Sequence, residues 1–74
     1  SLDDQLRRSM IQTLLCQSSL DFSRWGQPGL DVFAGIQSLF EPLAADGLLQ
    51  REGYTLTLTE LGRVFSRNVA ACLD

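Results

Sequence analysis

The sequence predicts a small α+β domain, mostly helical, with three to four helices and a two-stranded β-hairpin in a winged-helix-like order. Three observations predict it. Apolar residues recur at steps of three and four along most of the chain. One stretch, Tyr54-Thr55-Leu56-Thr57-Leu58, switches to strict alternation. Glycines or capping residues stand where the period changes. The chain has 74 residues, 45% of them hydrophobic, which makes residues 1–74 a single domain with enough apolar material for one core. A core of this size stabilises by only ~3–5 kcal/mol net, so surplus apolar surface is expected to need cover from a neighbour.

Ser1 and Asp4 form a capping-box start, followed by Leu6, Met10, Ile11, Leu14 and Leu15 at helical spacing. This predicts a first helix over about 3–16, ended by Gln17-Ser18-Ser19. Asp21 can cap a short second helix over 21–25. Gly26-Gln27-Pro28-Gly29 reads as a loop. Asp31 then opens a third helix over 31–44, carrying Val32, Phe33, Ile36, Leu39, Phe40 and Leu43. Pro42 is expected to kink or restart it, and Asp46-Gly47 to stop it. A hairpin over about 48–58 turns at Glu52-Gly53, and Thr59 caps a last helix over 60–73.

On that last helix Leu61, Val64, Phe65, Val69, Cys72 and Leu73 make one apolar stripe, with Asn68 among them. A buried amide left unpaired costs about 1–3 kcal/mol per group, so Asn68 is expected to bond within the fold or to a partner. Arg63 and Arg67, four residues apart, suit either an anionic partner or a solvated flank.

The formal charge is −3, and all six basic residues are arginine. An acidic chain is a poor match for a phosphate backbone, and the 31–44 helix carries no basic residue for a major groove. Lysine is absent, through codon bias or because arginine's planar fork suits carboxylates or phosphates. There is no histidine, so no ordinary triad, and the carboxylates sit mostly at caps and turns. Cys16 and Cys72 read as small buried apolar side chains; their spacing offers no metal site. No run of apolar residues is long enough to span a membrane. The acidic start, Ser1-Leu2-Asp3-Asp4, is unlike a secretory signal, and a cytoplasmic location is expected.

Several stretches carry a resemblance: Asp4-Gln5-Leu6-Arg7-Arg8 leading to Ile11 and Leu14-Leu15-Cys16; Leu20-Asp21-Phe22; Leu43-Ala44-Ala45-Asp46-Gly47-Leu48; Thr59-x-x-Gly62-Arg63; and Arg67-Asn68-Val69. In this order they resemble the C-terminal domain of the oxygen-independent coproporphyrinogen III oxidases, a radical S-adenosylmethionine family. The resemblance implies a parent enzyme that decarboxylates two propionates of coproporphyrinogen III to give protoporphyrinogen IX. It implies a [4Fe–4S] cluster and S-adenosylmethionine held by a preceding barrel domain through a Cys-x3-Cys-x2-Cys motif, and no cofactor in this chain. The chain itself would be a non-catalytic accessory domain capping the barrel over a tetrapyrrole substrate. Arg67 and Asn68 match the family's motif and are the first candidates for substrate or barrel contact, followed by Arg63, Arg7 and Arg8. The competing expectation is a free-standing winged-helix module that binds a protein or, less in keeping with the charge, DNA.

Overall fold

The computed structural model describes residues 1–74. Helix α1 spans Leu2–Gln17, and the Asp4 N–H donates to the Ser1 hydroxyl at 3.3 Å, as the capping pattern predicts. Met10 and Leu14 are buried, with Leu6 and Ile11 packed beside them. The helix ends on Ser18, which adopts the left-handed conformation (φ 61°) and donates its N–H to the Leu14 carbonyl at 2.8 Å.

The next three residues form a strand that the sequence reading did not contain. β1 (Ser19–Asp21) pairs antiparallel with β3 (Thr55–Leu58), which also pairs with β2 (Leu49–Glu52). The sheet therefore has three strands in the order β1-β3-β2, not the expected two. Leu20 lies opposite Leu56, and Leu49 opposite Leu58, so one face of the sheet delivers these four leucines to the core. The hairpin closes through a two-residue turn, Gly53-Tyr54, with Gly53 at φ 60° as its twist demands.

Asp21 caps a single 3₁₀ turn, Phe22–Trp25, by accepting from the Ser23 N–H at 3.0 Å and the Ser23 hydroxyl at 2.6 Å. Helix α2 follows at once, spanning Gly26–Ala45. The segment 26–29 is thus the first turn of a helix and not a loop. Each of its breakers has a reason to be there. Pro28 sits in the first turn, where no N–H partner is required. Gly29 lies against the Phe22 carbonyl oxygen, which an added Cβ would overlap. Asp31 is consequently inside the helix, where it accepts from the Gln27 amide at 2.8 Å. Pro42 does not restart α2, which runs through it unbroken; it lies in the final turn and costs one intrahelical bond. Val32, Phe33, Ile36 and Phe40 line the buried face. The rings of Phe22, Phe33 and Phe40 pack in series, edge-to-face and then tilted, with centroids 5.0 and 5.1 Å apart.

The predicted last helix is broken. α3 (Glu60–Val64) ends at Phe65, whose backbone (φ −107°, ψ 32°) is not helical; α4 (Ser66–Ala70) then runs into a 3₁₀ turn, Ala71–Leu73. Val69, Ala70 and Leu73 enter the core, whereas Leu61, Val64 and Phe65 stay outside it. The result is an α+β domain of winged-helix type in which a 3₁₀ turn stands in place of the second helix.

Two glycines respond oppositely to a methyl group. Gly62 lies against the Leu48 carbonyl oxygen, which an added Cβ would overlap, whereas Gly35 faces open space in mid-α2. Gly62→Ala is expected to destabilise by about 1–3 kcal/mol. Gly35→Ala is expected to stabilise by about 0.5–1 kcal/mol. Urea unfolding midpoints that move in opposite directions support this packing; equal shifts for the two variants contradict it.

Candidate functional site

Helix α1 lies beside α4, and the seam between them gathers most of the candidate residues. On α1, Arg8, Ile11 and Leu15 recur at steps of three and four; on α4 and its 3₁₀ extension, Arg67, Ala70, Ala71 and Asp74 do the same. Two adjoining clefts open between them. One, of about 210 Å³, is lined by Asp4, Arg7, Arg8, Ile11, Leu73 and Asp74. The other, of about 230 Å³, is lined by Ile11, Leu15, Arg67, Ala70, Ala71 and Asp74. Ile11 and Asp74 belong to both, so the clefts form one groove with an apolar floor and arginines on either wall.

The charges in this groove are only partly matched. The Arg7 Nε donates to Asp3 Oδ2 at 3.1 Å, an i,i+4 pair at the surface that contributes about 0.3–0.5 kcal/mol. The ion pairs of the chain are this one and a 3.7 Å contact between the amino terminus and Asp4. Arg8 and Arg67 therefore reach no carboxylate of their own chain within 4.0 Å. Asp4 and Asp74 also line the groove without pairing to either arginine, so both guanidinium groups are available to a carboxylate from outside.

Arg63 and Asn68 are not brought into the groove. Arg63 is exposed on α3, and the break at Phe65 separates it from Arg67, so the four-residue spacing does not stack the two on one continuous helix. Asn68 is exposed on α4 and not buried on an apolar stripe. The change of direction at Phe65 rotates α4 so that Val69, Ala70 and Leu73 face the core in its place. Asn68 is thus free of any need for an internal partner.

Sequence reasoning missed two features. One is the groove floor, because Ala70 and Ala71 carry no marked periodicity. The other is the exposed apolar corner of Leu61, Val64 and Phe65, which are 48%, 75% and 45% exposed. Glycine at 62, inside a five-residue helix against the Leu48 carbonyl, was the available sign that α3 meets the wing at close range.

Both cysteines are free. Cys16 is exposed, contrary to the expectation of a buried thiol, and borders a polar cleft with Ser9, Gln12, Thr13 and Arg24. Cys72 is half-buried, and burial pushes its thiol pKa up against the smaller lowering effect of a backbone hydrogen bond.

The chain is thus a winged-helix-type α+β domain with arginines and two aspartates around one groove. The chain belongs to the HemN C-terminal domain family, whose model matches residues 1–65. Arg67 and Asn68 fall beyond that matched stretch but within the longer alignments to individual relatives. The chain is 37% identical over 76 residues to the oxygen-independent coproporphyrinogen III oxidase of Salmonella typhimurium, covering 97% of the chain and 17% of the enzyme. It is 39% identical over 82 residues to the enzyme of the same name from Synechocystis, covering 100% of the chain and 18% of that enzyme. Among solved structures it matches the coproporphyrinogen III oxidase (HemN) of Escherichia coli, a radical SAM enzyme. That match has a TM-score of 0.89 and 36% identity, over 100% of this chain and 18% of the other. The chain thus spans under one-fifth of the length of each of these three proteins.

The donor set in this chain does not fit an iron–sulfur cluster. It has two cysteines, and nowhere do three or more His, Cys, Asp or Glu side chains converge.

The two thiols should differ in behaviour. Cys16 is expected to react with a thiol reagent at pH 8 at least about tenfold faster than Cys72, whose reactive thiolate is suppressed by burial. A raised folded pKa also means that the contribution of Cys72 to stability is complete below its unfolded pKa and is lost as pH rises through the folded value. Stability should therefore decline at alkaline pH less steeply in Cys72→Ala than in the parent. Equal labelling rates, or identical alkaline profiles, contradict the burial.

Proposed function

We propose that this chain is the non-catalytic C-terminal domain of an oxygen-independent coproporphyrinogen III oxidase-like enzyme, capping the preceding barrel domain and helping to bind the propionate-bearing substrate. The observation that carries the reading is the groove between α1 and α4, where Arg7, Arg8 and Arg67 outnumber Asp4 and Asp74 around an apolar floor. A coproporphyrinogen presents carboxylates at the rim of a puckered macrocycle of pyrroles joined by methylene bridges. Arginine forks bind carboxylates bidentately, and Ile11, Leu15, Ala70 and Ala71 offer the apolar contact such a ring gains from.

In the parent enzyme the [4Fe–4S] cluster and S-adenosylmethionine, supplied by the barrel, would provide the radical chemistry of oxidative decarboxylation. The residues of this chain bind and orient. Arg8 and Arg67 hold propionates from opposite walls, Arg7 is kept in position by Asp3, and Asn68 and Arg63 reach barrel or substrate from α4 and α3. The partners under this reading are the preceding barrel domain of the same polypeptide and the tetrapyrrole, with no nucleic acid and no membrane. Support for the last two is the lack of any basic residue along α2 and of any helix long and apolar enough to cross a membrane. The cytoplasm is the compartment that suits such an enzyme.

In the intact parent enzyme, Arg67→Ala is expected to lower kcat/KM for coproporphyrinogen III by about tenfold or more, the size of one lost charge-assisted hydrogen bond. Arg67→Lys should recover part of the loss, because it restores the charge without the fork. An anaerobic decarboxylation assay with unchanged kcat/KM in Arg67→Ala removes this residue from substrate contact.

A further inference from the structure

We infer that the corner formed by α3 and Phe65 is the face on which this domain seats against the preceding part of its own polypeptide. This deepens the reading above by naming the surface through which the cap is held, separate from the groove assigned to substrate. Leu61, Val64 and Phe65 follow the spacing of three and four that brings side chains together on one helix face. At 48%, 75% and 45% exposure they are apolar residues gathered in one place, not scattered singly.

The fold keeps them outside on purpose of geometry, not for want of a core. Unbroken helix through 60–73 would place them on the stripe of Val69 and Leu73, which are buried. The non-helical backbone of Phe65 separates the two sets. The corner is also rigidly presented. The Gly62 N–H donates to the Thr59 hydroxyl at 3.0 Å, that hydroxyl donates to the Gly47 carbonyl at 2.6 Å, and Gly62 rests against Leu48. A rigid apolar surface loses little entropy on docking.

Two arguments select the occupant. Three side chains are far short of the roughly 800 Å² per partner that a stable complex between separate molecules buries. A second free copy of the chain is therefore a poor occupant. A tethered neighbour is different, since a short linker raises its effective concentration to the millimolar range. Such a neighbour exists in the relatives, where this domain accounts for 17% of the polypeptide and the family describes it as C-terminal. Arg63, on the same five-residue helix, has no acid of its own chain within 4.0 Å and is free to pair with a carboxylate at the edge of the facing surface.

The test is hydroxyl-radical footprinting of the intact parent protein, wild type against Val64→Asp and, as a milder variant, Leu61→Ser. Tyr54, 49% exposed on the hairpin, serves as the internal reference for an intact fold. The expected result is Phe65 modified at least about fivefold more slowly in wild type than in either variant, with Tyr54 unchanged and the parent's mass in solution unchanged. Equal Phe65 rates in all three proteins overturn the proposal. So does a shift from dimer to monomer in Val64→Asp, which would assign the corner to a second copy. Footprinting needs no turnover, so a parent that fails to act on coproporphyrinogen III would sink the functional reading while leaving this one standing.

Discussion

The arrangement of the C-terminal half depends on one hydroxyl, that of Thr59. Helix α2 ends in a double-bonded cap: the Leu48 N–H reaches the Leu43 carbonyl at 2.9 Å and the Gly47 N–H reaches that of Ala44 at 3.0 Å, with Gly47 at φ 81°. Thr59 ties this cap to the next helix. Its hydroxyl donates to the Gly47 carbonyl at 2.6 Å and accepts from the Gly62 N–H at 3.0 Å, while its own N–H donates to the Leu48 carbonyl at 3.2 Å. The chain leaves α2, makes the wing and returns to within a hydrogen bond of where it left. The direction of α3 is thereby set by the end of α2, and the outward corner at Leu61, Val64 and Phe65 follows from it.

Much of this was legible in the residues, and the failures share a cause. Helices α1 and α2, the caps at Ser1, Asp21 and Thr59, and the alternating strand at 55–58 come from local rules, and the structure carries them. β1 was not legible because Ser19–Asp21 is too short for alternation to register; only its partner across the fold makes it a strand. The segment 26–29 misled because loop composition and first-turn composition coincide: proline and glycine suit both. The break at Phe65 has no local signal, since the stripe from Leu61 to Leu73 is continuous in sequence. The core holds Val69, Ala70 and Leu73 but not Leu61, Val64 and Phe65, and that selection overrides the pattern.

The site residues divide along the same line. Arg7 and Arg8 come from α1, and Arg67 from α4; their meeting at one groove is a tertiary fact that adjacency in sequence could not reveal. Asn68 shows the converse, since its place on the stripe suggested burial, yet it is exposed. The core is apolar throughout and leaves no buried side-chain polar atom unpaired. Polar chemistry is thereby confined to the surface, with an arginine-walled groove on one seam and an apolar corner at the α3 end. Such a division suits a domain that holds things in place for chemistry done elsewhere.

The proposed role is that of a domain that does no chemistry yet is needed by the part that does. The most direct measurement is an add-back titration: the upstream part of the parent enzyme, produced without residues 1–74, is assayed for coproporphyrinogen III decarboxylation as the separate domain is added. Little turnover is expected from either piece alone, with a rise on mixing that nears saturation only at roughly millimolar domain, because the tether is missing. Full activity of the upstream part without this domain would contradict that role.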